Sequence, residues 1–263
     1  MVMPDSNNPR LLQGKVLFMA GVGPLMGEAT ARIAAREGAR VALAARSTQV
    51  IEKLAEEIRA SGGEAIAVQC DLTDNQQLEA AIDRTADELG IINTVFYNAP
   101  FYDHAHTALD IDEELWKTTM DVNLMGAIAT ARLTVPAMIE NGGGSLVFNS
   151  SAAGLYADGV RLGYSVSKAG LDAVVRHIAR KYGPHGVRAN CVYPFVMPPE
   201  VPEEMVRGFT DLNCLKRSGT AEEIGNAVTF LLSDRASIIT GQGIYLDGGL
   251  FSRAHWPEIE SEV

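Results

Sequence analysis

Tyr164 and Lys168 stand four residues apart, with Ser151 thirteen residues upstream and Asn123 further back. Four residues make about one helical turn, so a helix through this segment projects both side chains from one face onto one site. A phenol ordinarily titrates near ~10, too high to exchange protons readily at neutral pH, but an ammonium held beside it favours the phenolate and lowers that value. Tyr164 then qualifies as a general acid or base. Ser151 closes the apolar run 145–149, where a hydroxyl can hold a reacting oxygen while the proton moves. These residue types together suit interconversion of a carbonyl and an alcohol.

A second signal lies near the N-terminus, where residues 20–27 read Ala-Gly-Val-Gly-Pro-Leu-Met-Gly. They follow the apolar run Val16–Ala20 and precede a helical pattern from Glu28 to Glu37. A strand, a glycine turn and a helix N-terminus offer a dinucleotide pyrophosphate close backbone approach, free N–H groups and a favourable dipole.

The elements that must position these groups follow from hydrophobic periodicity. Short apolar or β-branched runs alternate with longer helical patterns, as in successive βα units around a parallel sheet. Strands are predicted at 16–20, 40–45, 65–69, 94–98, 145–149, 187–192 and 243–246. Helices are predicted at 26–37, 48–60, 75–89, 113–140, 164–182 and 221–232. Ser47 is expected to cap the second helix and Gly62 to end it, while Thr73 and Gln76 have capping-box spacing. The fold class is therefore α/β: a Rossmann-type doubly wound sheet of about seven parallel strands, helices on both faces, in a single domain. Residues 14–249 form that domain, between an N-terminal tail (1–13) and a C-terminal tail (250–263). In such a sheet the strand C-terminal ends share one edge, where Gly21, Arg46, Asp71, Asn98, Ser151 and Pro194 all fall.

The chain has 263 residues, 47% of them hydrophobic, and a formal net charge of −11. That charge disfavours nucleic acid and anionic membrane surfaces as partners, since both demand a basic face. No apolar stretch approaches the ~20 residues of a membrane span, and the polar start at 1–9 lacks a basic segment followed by an apolar one, so a cytoplasmic protein is expected. The three cysteines, Cys70, Cys191 and Cys214, are widely spaced, which argues for structural roles and against a disulfide framework or a metal site.

With these residues assembled, the chain resembles the short-chain dehydrogenase/reductase family from about Gly14 to Gly249. The matching pieces are the Gly21/Gly27 turn, Asp71-Leu72, Asn98-Ala99, Asn123, Ser151, Tyr164-x-x-x-Lys168, Pro194 and Asp247-Gly248-Gly249. The resemblance implies that Tyr164 gives or takes the proton, that Lys168 lowers its pKa and holds the nicotinamide ribose, and that Ser151 orients the substrate oxygen. Asn123 would support a water relaying protons to Lys168, and Asp71 would position the adenine. It also implies a nicotinamide cofactor contacted by Gly21, Gly23, Met26, Gly27, Arg46, Asp71, Leu72, Asn98, Ala99, Tyr164, Lys168, Pro194 and Val196, and a homotetramer with the long helices at its interfaces.

Cofactor choice turns on the end of the second strand. A carboxylate at Ala45 would hold the ribose hydroxyls of NAD, and none is there. Arg46 offers a fork of donors for a 2′-phosphate, which favours NADP, with NAD possible. The chain departs from the family pattern at Leu25 and Phe195, where glycines are usual, and in Tyr97-Asn98-Ala99-Pro100, where Asn-Asn-Ala-Gly is usual. A small-molecule substrate is expected in a largely apolar pocket of Phe101, Tyr156, Phe195, Met205 and Phe209, with Tyr102, Leu155 and Met197 nearby, under a lid formed by 195–217. The function expected is oxidoreduction of a ketone or aldehyde and a secondary alcohol. A lyase resembling halohydrin dehalogenases and a non-catalytic cofactor-binding protein are the alternatives.

Overall fold

The computed structural model describes residues 10–104, 106–156, 159–196 and 201–252. Seven strands, β1 (Val16–Ala20), β2 (Arg40–Ala45), β3 (Glu64–Gln69), β4 (Thr94–Tyr97), β5 (Gly144–Asn149), β6 (Val187–Pro194) and β7 (Gly243–Leu246), form one sheet in the order β3-β2-β1-β4-β5-β6-β7. All six neighbouring pairs are parallel. The chain runs outward from β1 to β3 and then returns to β4 on the other side of β1. That reversal opens a crevice at the strand C-terminal ends.

Every residue of β1 is buried, because helices cover both faces of the sheet. On one face α1 (Met26–Arg36), α2 (Thr48–Ala60) and α8 (Ala221–Leu232) enclose Leu17, Met19, Leu43, Phe96 and Val192. On the other, α3 (Asn75–Leu89), α5 (Gly126–Glu140) and α6 (Leu162–Tyr182) enclose Phe18, Val95, Phe148 and Cys191. The strand and helix boundaries fall within two residues of those expected, apart from three places.

The long helix predicted over 113–140 is α4 (Glu113–Met120) and α5 joined through a π-turn, Asp121–Met125. The phenol of Tyr97 donates to the Val122 carbonyl at 2.5 Å inside that turn, and Gly126 leaves room for the Tyr97 hydroxyl. By length and composition the 28-residue span Glu113–Glu140 could cross a bilayer, since an 18-residue window in it has a mean hydropathy of 1.4, where no such stretch was expected; half of that window is buried inside the protein. Within 195–217, expected as a lid without regular structure, lies α7 (Glu203–Thr210). The folded body also begins before Gly14, since Leu12 is fully buried and its N–H donates to the Glu37 carbonyl.

The caps differ in detail. Ser47 occupies the N-cap position of α2 but its side chain caps nothing. Gly62, at φ 84°, does end that helix, with the N–H groups of Gly62 and Gly63 donating back to the carbonyls of Arg59 and Ile58. For α3 the cap is Asp74, whose carboxylate accepts from the N–H groups of Gln76 and Gln77. Thr73 instead donates its hydroxyl and its N–H to Asp71.

Candidate active site

Tyr164 and Lys168 lie on the first two turns of α6 and face the sheet, where both are buried. The Lys168 ammonium sits 5.4 Å from the centre of the Tyr164 ring and donates to the Asn149 carbonyl at the end of β5, at 2.6 Å. Ser151 starts the short 3₁₀ turn Ala152–Gly154 and accepts from the Ala153 N–H at 3.2 Å. Gly154 allows that turn to dock on α6, since an added Cβ would lie 2.6 Å from the Ala169 nitrogen. The docking carries the Ser151 hydroxyl to the Tyr164 phenol. Three of the four expected catalytic groups therefore meet at one point.

Asn123 is also near, fully buried in the π-turn, but its side chain is engaged. Its amide exchanges two hydrogen bonds with the backbone of Phe101, at 2.7 and 2.8 Å, and donates to the Ser167 hydroxyl at 3.0 Å. The Asn123 side chain thus ties the 98–104 loop to α6.

The electrostatics differ from the sequence expectation in one respect. Burial pushes the Tyr164 phenol upward and the nearby Tyr102 phenol adds to this, while Ser151 and Arg161 act the other way. The net displacement is upward, against the lowering expected from Lys168 alone. Burial lowers the Lys168 ammonium to about 8, against raising effects from Cys191 and Asp172.

The crevice between the glycine turn and the ends of β2, β3 and β4 is a cleft of about 800 Å³. Gly21, Gly23, Arg46, Asp71, Leu72, Asn98 and Ala99 line it, together with Phe101. Gly21 has φ 87° and passes so close to Ala99 that a Cβ would lie 2.6 Å away. A Cβ on Gly23 would meet open space, so that position faces the cleft freely. Leu25 holds φ 62°, a conformation glycine adopts without strain, and it is 36% exposed rather than among the cleft-lining residues. The leucine therefore does not fill the turn. The backbone cradle and the α1 N-terminus fit a pyrophosphate, and Arg46 at the rim fits a further phosphate.

Met26, Gly27, Tyr164, Lys168, Pro194 and Val196, also expected to contact the cofactor, lie outside that lining. Met26 and Val196 pack against the core, and Gly27 approaches the Asn98 amide. Of the apolar residues expected around the substrate, Phe101 lines the cleft. Phe195 packs on Phe209 at 5.8 Å, Tyr156 stacks on Phe251 at 4.7 Å, and Met205 is exposed on α7. Met197 lies outside the described residues. Neither Pro100 nor Phe195 adopts a positive φ, so both replace a usual glycine without backbone strain.

Two residues that sequence reasoning passed over, Asp103 and Asn149, shape the site together with Tyr102, which was expected near the substrate. Asp103, fully buried, accepts from the N–H groups of Gly163 and Tyr164 at 2.7 and 3.2 Å and so caps α6 at Tyr164. Tyr102 stacks on Tyr164, with ring centres 4.8 Å apart. Asn149 donates to the Asn98 side chain, which donates to the Gly21 carbonyl, linking the Lys168 anchor to the glycine turn. Asp103 acts across 60 residues of sequence, beyond any local capping signal.

A family profile described as enoyl-(acyl carrier protein) reductase matches residues 22–251. Cyclohexanol dehydrogenase of Acinetobacter sp. (strain SE19) is 30% identical over 91% of this chain and 96% of its own length. L-rhamnose 1-dehydrogenase (NAD(P)(+)) of Azotobacter vinelandii is 32% identical over 92% of this chain and 98% of its own. Among solved structures, a short-chain type dehydrogenase/reductase from Mycobacterium marinum superposes with a TM-score of 0.84 at 29% identity, covering 92% of this chain and 97% of that one.

Proposed function

Because the chain belongs to the short-chain dehydrogenase/reductase family, whose members act on CH–OH or C=O groups of small molecules with a nicotinamide nucleotide, we propose that it reduces a hydrophobic ketone or aldehyde with NADPH. The observation that carries this reading is the meeting of Tyr164, Lys168 and Ser151 beside a cleft suited to a dinucleotide. The cofactor, when bound, supplies the hydride. This chain's residues would handle the oxygen and the proton.

Ser151 would hold the substrate oxygen, and Tyr164 would give its proton to the alkoxide as charge develops there. The upward displacement of the Tyr164 pKa supports that direction, since the phenol stays protonated until the alkoxide needs it. The Lys168 ammonium, 5.4 Å from the ring, would favour the phenolate left behind. Gly21, Gly23 and the α1 N-terminus would hold the pyrophosphate, Asp71 the adenosine end and Arg46 a 2′-phosphate. Asp71 is held ionised by hydrogen bonds from Thr73 and lies within the field of Arg46.

The exposed rings of Tyr102, which stacks on Tyr164, and of Tyr156 and Phe209 support a hydrophobic substrate. We further propose that the protein is cytoplasmic and forms a homotetramer with the long α4–α5 span from Glu113 and the helix α6 carrying Tyr164 at its interfaces; light scattering tests the tetramer directly. The reading as a whole is tested by nucleotide titration followed by consumption of NADPH against a panel of hydrophobic ketones. Binding of NADPH with ketone-dependent oxidation supports it, whereas failure to bind either nucleotide overturns it.

A further inference from the structure

Behind Tyr164 and Lys168 lies a buried group of titratable side chains to which the mechanism above gives no part. Asp172 follows Lys168 by one turn of α6, so the two share a face. Lys168 is 1% exposed and Asp172 4%. Cys191 and Tyr193 close over the same space from β6, both buried and both within the field of Asp172. Neither carboxylate oxygen of Asp172 has a hydrogen-bond partner of good geometry, the Cys191 thiol and the Tyr193 phenol being the donors nearest to it. The Lys168 ammonium, with three donors to satisfy, has the Asn149 carbonyl as its side-chain hydrogen-bond acceptor among the described residues.

A carboxylate enclosed with only a thiol and a phenol for donors is unfavourable unless an opposite charge lies close, and an ammonium under-supplied with acceptors is in the same position. Each here supplies the charge that the other lacks. Neither neighbour on β6 competes as the anion: burial, reinforced by Asp172, holds the Cys191 thiol and the Tyr193 phenol in their protonated forms. The other groups facing the cluster are Tyr164 beside Lys168, Tyr245 from β7 and Arg176 one turn further along α6. Arg176 is exposed, which leaves its charge to solvent.

We propose that Asp172 is the buried counter-ion of Lys168, a positioning residue that keeps the lysine charged without itself touching substrate or cofactor. This rests on the reading of Lys168 as the cation that supports Tyr164. The active form carries the ammonium and is lost as pH rises through the lysine pKa. Removing the Asp172 charge lowers that pKa, so the alkaline limb of the rate profile moves to lower pH.

The test is the pH profile of kcat/KM for Asp172→Asn, which keeps the shape and removes the charge. A displacement of about one pH unit gives a loss of about fivefold near pH 8 and about tenfold near pH 9, with almost none near pH 6. A merely structural role lowers the rate by one factor at every pH, and that result overturns the proposal. Arg176→Ala should leave the limb in place; an equal displacement there would assign the effect to the surface charge instead. Should Asp172→Asn fold poorly, Asp172→Ser, smaller and equally uncharged, must give the same displacement. Infrared difference spectra of wild type against Asp172→Asn decide the ionisation without reference to activity: an ionised carboxylate band is required, and a protonated carboxyl band overturns the proposal. The underlying reading fails separately, if Tyr164→Phe retains turnover whatever the infrared result.

Discussion

At the β1–β3 side of the crevice the ligand-facing groups are glycines, strand ends and the exposed Arg46, whereas at the β5–β6 side Lys168, Asn123 and Asp103 are buried and each already holds at least one hydrogen bond. The first side offers mainly backbone groups and a rim charge, so it tolerates an unusual side chain that points elsewhere. Leu25 at φ 62° is such a case. On the second side each polar group is fixed by another: Asp103 holds the start of α6, Asn123 holds the loop carrying Asp103, and Asn149 holds Lys168. Binding can survive local changes on one side of this molecule, while chemistry on the other depends on a connected set.

That contrast can be broken in several ways. Short of removing the Tyr164 phenol itself, the largest effect expected is on the catalytic side with pH: from about pH 8 to about pH 10 turnover should fall about fiftyfold as Lys168 loses its proton. Stability should not fall in parallel. The unfolded lysine keeps its proton to ~10.4, so the unfolded state binds more protons across that window and this group favours folding as pH rises. A melting temperature that drops together with activity would show that the profile reports unfolding.

Asp103→Ala should lower stability by about 1–2 kcal/mol through loss of the α6 cap, with a clear loss of kcat because Tyr164 is the capped residue. Asp103→Asn, which keeps an acceptor, should recover most of both; no difference between the two variants would remove the cap from the account. On the cofactor side Arg46→Ala should weaken NADPH by about tenfold and NADH by less than about twofold. Equal losses in a titration of both nucleotides would overturn the proposed preference. The smallest effect belongs to Leu25→Gly, for which NADPH affinity should change by less than about threefold and stability by less than about 1 kcal/mol, since relief of a strained φ offsets the added freedom of the unfolded chain. A large gain in affinity would mean that Leu25 obstructs the cleft after all.

The regular strands and most helices were legible because their signals are local: apolar runs for buried parallel strands, and 3.6-residue periodicity for the helices. Tyr164, Lys168 and Ser151 were legible for the same reason, by spacing on predicted elements. What was missed depends on groups distant in sequence. The π-turn at Asp121–Met125 is a choice of hydrogen-bond register, and the Tyr97 phenol reaching the Val122 carbonyl is what the sequence around 121–125 could not show. Helix α7 is eight residues long amid proline and methionine, too short for periodicity to stand out. The Thr73 cap was one residue off, because two adjacent residues could both cap and Asp71 engages the first.

The central claim is that Tyr164 moves the proton while the other side of the crevice binds the nucleotide independently. Steady-state turnover and the NADPH dissociation constant of Tyr164→Phe, measured on one preparation, test it most directly. The account predicts a loss of kcat of about a hundredfold or more, with affinity for NADPH nearly unchanged. Retained turnover would contradict it.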